Sequence, residues 1–418
     1  MGKRVIGVEE RLPILETIPL SFQHLFAMFG ATVLVPVLFK VDPATVLLFN
    51  GIGTLLYLFI AKGKIPAYLG SSFAFLSPVF LVLPQYGYNA ALGGFITVGV
   101  LLVLVAGIVK IAGTGWIDTF FPPAAIGAVV AVIGLELAPG AAGMAGLLPA
   151  AGTAMDLKVV GVAVFTLGVT ILGSLLLRGF WAIIPILLGV LAGYALSWGL
   201  GMVDVQKIAD APWFGLPTIY TPSFNLNAIL LIIPAVLVLI PEHIGHLIVT
   251  GNIVERDLMR KPGLHRSMLG NGLSTILSGI FGSTPNTTYG ENIGVMAISK
   301  VYSVWVIGGA AILAILLSFC GKLAAAIQVI PSPVMGGISI LLYGVIAASG
   351  IRMLVEQKVD YSKPSNLILT SVVLVVGVSG AHVEVGPVSL KGMALAAILG
   401  ILLALVVALF RKLKWLNE

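Results

Sequence analysis

Ser283-Thr284-Pro285-Asn286-Thr287-Thr288-Tyr289-Gly290 lies between two apolar runs and is too polar and too β-branched for a lipid-facing helix. An earlier stretch, Ser71-Ser72-Phe73-Ala74-Phe75, alternates small or polar residues with aromatic ones ahead of Ser77-Pro78. Both read as short extended β segments inside broken helices, with an ordinary surface loop as the alternative. Non-helical backbone at membrane depth persists only where protein or a cavity satisfies its polar groups. Paired interruptions at corresponding positions of two halves point to a transporter's binding site.

The rest of the chain supplies the membrane. Hydrophobic residues make up 59% and charged residues 10%, with a mean hydropathy of +1.10, whereas an ordinary soluble domain carries roughly a quarter charged residues. The fold class is therefore an all-α polytopic membrane protein. One span needs about 20 apolar residues, so the chain holds roughly 12 to 14 spans and little else. The first apolar run, 18–39, is too long for a signal-peptide core and reads as the first span. Cys320 is the only cysteine, which excludes an internal disulfide and a Cys-based metal site.

Apolar runs place spans near 14–39, 44–61, 67–84, 90–112, 121–138, 157–177, 180–200, 226–254, 268–282, 289–299, 302–320, 331–350, 364–380 and 389–410. With fourteen crossings, Lys3 and Arg4 fall on the same side as most of the 23 basic residues, and only Lys40, Lys158, Lys207, Lys322 and Lys391 fall on the other. That asymmetry places both termini in the cytoplasm. It also explains the net charge of +6 without nucleic acid. A cut near residue 212 gives repeats over 1–212 and 213–418 with seven spans each, and an odd number inverts the second repeat. Weak similarity supports the cut. Gln23-His24-Leu25 leads to Gly30 as Gly245-His246-Leu247 leads to Gly251, and Gly70-Ser71-Ser72 corresponds to Gly282-Ser283-Thr284.

Glu242 and Glu291 stand in otherwise apolar sequence, each beside a break in helical pattern, at Pro241 for the first and at 283–290 for the second. A carboxylate at the bilayer centre costs about 3 kcal/mol or more, so such an acid is by default part of a substrate or ion pathway. Glu242 and His246 are four apart and share a helix face, while His243 points elsewhere. Pro241 removes a helical hydrogen bond, which predicts a kink just before the acid. The order Glu242-His243-Ile244-Gly245-His246 does not match the His-Glu-x-x-His of a zinc protease.

No Lys or Arg lies deep in a predicted span to neutralise the two acids, so an anionic substrate is disfavoured. A cation or a neutral solute rich in N–H donors fits better. Extended backbone near Phe73 and Gly290 offers amides to carbonyl oxygens, and half-helices behind it would aim positive dipole ends at them. Donors facing acids and acceptors facing amides describe a flat cyclic imide or lactam. Two buried acids near each other resist joint ionisation, so one is expected to take up a proton during the cycle. Sodium remains a possible coupling ion by residue type.

At these residues the chain resembles the nucleobase-ascorbate transporter family over nearly its whole length. The most specific match is Phe281-Gly-Ser-Thr-Pro-Asn-Thr-Thr-Tyr-Gly-Glu-Asn-Ile-Gly294, continuing to Ser299-Lys300. Within it Glu291-Asn292-Ile293-Gly294 fits the family's signature, and Ser299 stands where Thr is usual. Gln23-His24 resembles the first-span motif, and Pro241 to His246 resembles the uracil-carrying branch more than the xanthine or ascorbate branches. The resemblance implies fourteen segments in two inverted repeats. It also implies a core domain of about 14–112 and 226–320 and a gate domain of about 113–212 and 321–410. Uracil would bind between them and enter with protons. Glu242 and Glu291 would hold the ring's N–H edge, Phe73 and Gly290 would supply backbone amides, and His246 would support Glu242. Tyr289 and Tyr343 would line or close the pocket. Members of the family commonly form dimers. A purine or xanthine carrier is the alternative within transport; a passive channel and an intramembrane metalloenzyme are remote ones. Neither a cofactor nor a metal is expected.

One more element is open to two readings. Ser379-Gly380-Ala381-His382-Val383-Glu384-Val385-Gly386 reads as a Gly-flanked polar loop on the outer side. It is either an ordinary solvated loop or a pH-sensitive lid.

Overall fold

The computed structural model describes residues 5–149, 152–179, 181–385 and 388–416. Lys3, Arg4 and Gly386, used above for charge asymmetry and the outer loop, lie outside them. Apolar runs become helices and stop at Pro, Gly or polar clusters. The first are α1 (Ile14–Phe39) and α2 (Pro43–Ile60). Asp42 starts α2 by accepting from the Ala44 amide at 3.0 Å, with Pro43 in the first turn where its missing N–H is not needed. After β1 (Leu69–Ser71) and a 3-10 turn at Phe73–Phe75 comes α3 (Leu76–Ala112), broken at Gly87 by a φ of 75° and a ψ of 174°. The first half ends with α4 (Ile117–Phe120), α5 (Pro123–Met144), α6 (Leu157–Leu176), α7 (Pro185–Gly199) and α8 (Val205–Asp210).

The second half begins with α9 (Leu226–Ile232), α10 (Ala235–Ile253) and α11 (Leu264–Phe281). Then come β2 (Asn286–Thr288), α12 (Gly290–Ser299), α13 (Val304–Ser318), α14 (Gly321–Gln328), α15 (Ser332–Glu356) and α16 (Pro364–Val378). A hairpin of β3 (His382–Val385) and β4 (Val388–Lys391) leads into α17 (Gly392–Lys412). Eight helical stretches among the described residues have the length and apolar composition to cross a membrane, and α7, α13 and α16 are shorter apolar helices.

A broken helix leaves N–H and C=O groups that lipid cannot satisfy. Here the two breaks satisfy each other. β1 and β2 pair antiparallel, with Leu69 opposite Thr288, Gly70 opposite Thr287 and Ser71 opposite Asn286. Beyond the ladder the Ser72 amide donates to the Pro285 carbonyl at 2.8 Å and the Tyr289 amide to the Tyr68 carbonyl at 2.9 Å. Side chains add two more bonds: the Thr54 hydroxyl accepts from the Leu69 amide at 2.9 Å, and the Thr275 hydroxyl donates to the Asn286 carbonyl at 3.1 Å.

Two expectations are corrected. Of the stretch read as extended, 71–75, only Ser71 lies in β1, and Phe73–Phe75 form a 3-10 turn; Pro241 lies inside α10, which joins α9 at Ile233 and Pro234 with helical backbone at both. Pro241 removes a single bond from a 19-residue helix. The segment read as an outer loop is a hairpin, with His382 opposite Lys391 and Val383 opposite Leu390. His382-Val383-Glu384 alternates polar and apolar residues with the period of two that suits a strand.

The helices pack in two groups. In one, α3 lies against α11 and α9, α2 against α13 and α11, and α1 against α13; in the other, α5 lies against α15, α16 and α17, and α6 against α7 and α15. The groups meet where α10 faces α5 and α17 and where α1 faces α7 and α15.

Candidate functional site

Each strand of the buried ladder hands the chain to a helical N-terminus: β1 to the Phe73 turn and α3, β2 to α12 at Gly290. Because the pairing is antiparallel, these N-termini leave opposite ends of the ladder, each with first-turn amides that lack intrahelical acceptors. Tyr289, buried between them, folds back across β1. Its hydroxyl donates to the Ser71 carbonyl at 3.1 Å, and its ring lies so close to Gly70 that a Cβ there would be 2.3 Å from Cζ. Only glycine allows that approach.

α10 brings the acid and the histidine to this junction. His246 Nδ1 and the Thr288 hydroxyl are 3.1 Å apart, and a Cβ on Gly290 would lie 3.6 Å from His246 Nε2. Glu242, one turn away on the same face, is close enough to Glu291 for their charges to interact. Both acids are half-buried, and Glu242 Oε2 has no hydrogen-bond partner among the described residues. A carboxylate oxygen left open beside a second acid is placed to accept an N–H donor or a proton. In this conformation the imidazole of His246 engages Thr288.

The other histidines have different work. His243 Nε2 is 2.8 Å from the Ser267 hydroxyl, which meets the Tyr57 hydroxyl at 2.5 Å, so His243 ties α10 to α11 and α2. The Asn292 amide group donates to the His24 carbonyl at 3.0 Å and lies 3.1 Å from His24 Nδ1, which locks α12 to α1.

Phe73 and Tyr343 meet each other, with ring centroids 6.1 Å apart at 82°. The Phe73 turn also packs against α10. A cavity of about 460 Å³ is lined by Tyr343, Phe80, Ser77, Glu136 and Lys391. A second, of about 210 Å³, is lined by Gly245, Ile248, Phe121, Met353 and Glu356. Tyr343 thus bounds one cavity, and Gly245, on the turn after Glu242, bounds the other.

Sequence reasoning passed over one acid. Glu136 lies in the run 121–138, only two residues from its predicted end, yet α5 continues to Met144 and leaves Glu136 well inside the helix. Glu136 Oε1 accepts from the Ser77 hydroxyl at 2.7 Å and Oε2 from the Met393 amide at 2.9 Å. A charge in an otherwise apolar run was the signal for it.

A helical bundle with two helices interrupted by mutually paired strands, and acids gathered at the interruption, defines a multi-pass membrane transport protein. Solved structures agree on the fold. The transmembrane domain of the cyanobacterial bicarbonate transporter BicA superposes with a TM-score of 0.64 at 13% identity, over 97% of this chain and 100% of that one. The murine anion transporter Slc26a9 in its inward-facing state gives 0.72 at 11% identity, over 96% of this chain and 69% of that one. The family is shown by sequence: the model of the permease family that holds xanthine and uracil permeases matches residues 15–386, and the chain belongs to that family. The uracil permease of Escherichia coli K12 is 70% identical over 414 residues, 99% of this chain and 96% of the relative. The uracil permease of Bacillus subtilis is 47% identical, over 96% and 94%. The putative pyrimidine permease RutG of Escherichia coli K12 is 41% identical, over 96% and 91%.

Proposed function

We propose that this protein imports uracil together with protons across the cell membrane, by alternating access between a core domain (about 14–112 and 226–320) and a gate domain (about 113–212 and 321–410). The observation that carries the reading is the gathering of Glu242, His246, Gly290 and Glu291 at one broken-helix junction, in a chain so similar to uracil permeases. The division into domains follows the two groups of packed helices. Fourteen segments in two inverted repeats, 1–212 and 213–418, would place the two breaks at equivalent positions, in keeping with their pairing. The charge asymmetry favours cytoplasmic termini, and a homodimer is in keeping with the family resemblance.

Uracil is a flat ring with two N–H donors and two carbonyl acceptors. In this reading Glu242 and Glu291 accept its N–H groups, while the amides of Phe73 and Gly290 donate to its carbonyls. Tyr289 forms a wall, and Tyr343 with Phe73 separates the ring from the larger cavity. The two cavities, one bounded by Tyr343 and the other by Gly245, would serve as alternate entrances. Glu242 and Glu291 cannot both stay ionised cheaply in one buried site, so a proton taken up by the pair accompanies the substrate and leaves on the other side. His246, within reach of Thr288 and the Gly290 region, relays or orients that proton.

The test is uptake of labelled uracil by liposomes carrying the purified protein, with a proton gradient and no sodium. Accumulation that collapses on adding a protonophore supports the reading; accumulation that needs sodium, or displacement by xanthine in preference to uracil, overturns it.

A further inference from the structure

We propose that Glu136 is a positioning residue that ties the half-helix carrying Phe73 to α5 and α17, and that its hydrogen bond with Ser77 is a latch that breaks when the larger cavity opens. The inference rests on the alternating-access reading above. Both oxygens of the Glu136 carboxylate are engaged, one by each of the two helix groups. Oε2 accepts from the Met393 amide at 2.9 Å, in the first turn of α17, where amides lack intrahelical acceptors and the helix dipole favours a carboxylate. Gly392 makes the approach possible: its φ is +53°, and a Cβ there would overlap the carboxylate. α5 and α17 pack together in one group, so this bond stays within a unit that moves as a body.

The other bond crosses the seam. Oε1 accepts from the Ser77 hydroxyl at 2.7 Å, and Ser77 lies in the first turn of α3, one turn past Phe73. The same place carries a second crossing contact, the Phe73 ring on Tyr343 of α15. α5 and α15 are in direct backbone contact there, since a Cβ on Gly134 would collide with the Tyr343 carbonyl. Glu136, Tyr343 and Ser77 all line the larger cavity. Separating the helix groups to open it must therefore part Ser77 from Glu136 while leaving Met393 in place. A hydrogen bond to a carboxylate biases such an equilibrium roughly tenfold, enough to hold the cavity shut at rest and weak enough to yield during turnover.

Accessibility of a reporter thiol tests this. Purified full-length protein carries Cys320→Ala and Leu38→Cys, a half-buried position on the wall of the larger cavity. Maleimide labelling is timed in this parent and after adding Ser77→Ala, Ser77→Thr or Glu136→Gln, with melting temperature measured alongside. Ser77→Ala should label roughly fivefold to tenfold faster with only a small fall in melting temperature, and Ser77→Thr, which keeps the hydroxyl, at the parent rate. Glu136→Gln, which replaces the bond to a carboxylate by a weaker neutral one from its Nε2 to the Ser77 oxygen, should also label faster, though by less, and decides the matter if Ser77→Ala fails to fold. Parent-rate labelling of both Ser77→Ala and Glu136→Gln, or equal acceleration by Ser77→Thr, overturns the latch. Labelling requires no substrate. A parent that does not bind uracil in a thermal-shift assay would therefore defeat the substrate reading without touching this result.

Discussion

The ring of Phe73 stands edge-on to the ring of Tyr343, their centroids 6.1 Å apart. The contact joins the helix break of one group to α15 of the other. Edge-to-face pairs contribute about 0.5–1.5 kcal/mol beyond buried area. Phe73→Ala and Tyr343→Ala should each weaken uracil binding, and the double variant should be less impaired than the two losses combined. A double-mutant cycle on uracil affinity that comes out additive would mean that the rings act separately.

Glu242→Gln and Glu291→Gln should each reduce uracil uptake by about 10- to 100-fold, the scale for losing a hydrogen bond to a charged group. For Glu242→Gln, expression and melting temperature should stay near the parent's, since Glu242 Oε2 has no hydrogen-bond partner to lose among the described residues. Uptake at the parent rate in both variants would remove the acids from the mechanism.

Gly70→Ala should destabilise the fold by about 1–3 kcal/mol, because a Cβ at 2.3 Å from Tyr289 must push the ring out of a packed site. The melting temperature would fall and uracil binding with it. The companion change Tyr289→Leu, which removes the ring together with its hydroxyl, should recover part of the stability without recovering binding.

His243 and His246 separate structure from function. His243→Ala leaves the buried Ser267 and Tyr57 hydroxyls without their third member and should cost about 1–3 kcal/mol, with uracil affinity unchanged in the folded fraction. His246→Ala should do the reverse, lowering uptake with little change in melting temperature. Guanidinium denaturation and uptake on the same preparations would show whether the two effects divide in this way.

Glu9 and Arg256 form a two-pronged ion pair at 2.6 and 2.8 Å that fastens the N-terminal segment to the connection after α10. The hydrogen bond from Arg256 holds the Glu9 carboxyl below its ordinary range. A depressed carboxylate contributes stability above its unfolded value and loses it as the pH falls through its folded one. Glu9→Gln should therefore lower stability at neutral pH and match the parent in strong acid. Both side chains are substantially exposed, at 53% and 42%, so solvent screening keeps the effect within about 1 kcal/mol. Thermal melts of the two proteins in 1 M salt should converge at neutral pH as well.

Much of the site was legible because its signals are local. Pro285, Thr287 and Thr288 break a helix by their own chemistry, and β2 at 286–288 lies within the stretch read as extended, 283–290; of the earlier stretch, 71–75, only Ser71 lies in β1, because the chain already turns into a 3-10 helix at Phe73. Glu291 and Glu242 stood out as charges in apolar sequence. Glu136 was passed over because an acid near a predicted span end looks like an interface residue until the true helix end is known. His382 was read in a loop although its neighbours alternate as a strand does.

By itself the sequence determined that the chain is a helical membrane protein, where two of its helices break and which acids stand near the breaks. Hydropathy, turn chemistry and charge are properties of neighbouring residues, and a short window holds them. Only the tertiary structure decided that Ser71 faces Asn286, that His246 meets Thr288, and that Glu136 reaches both Ser77 and Met393. Those partners are far apart in the chain, and their meeting depends on strand register and helix packing, which are set by the burial of the whole apolar surface and by the need to satisfy every polar group inside it.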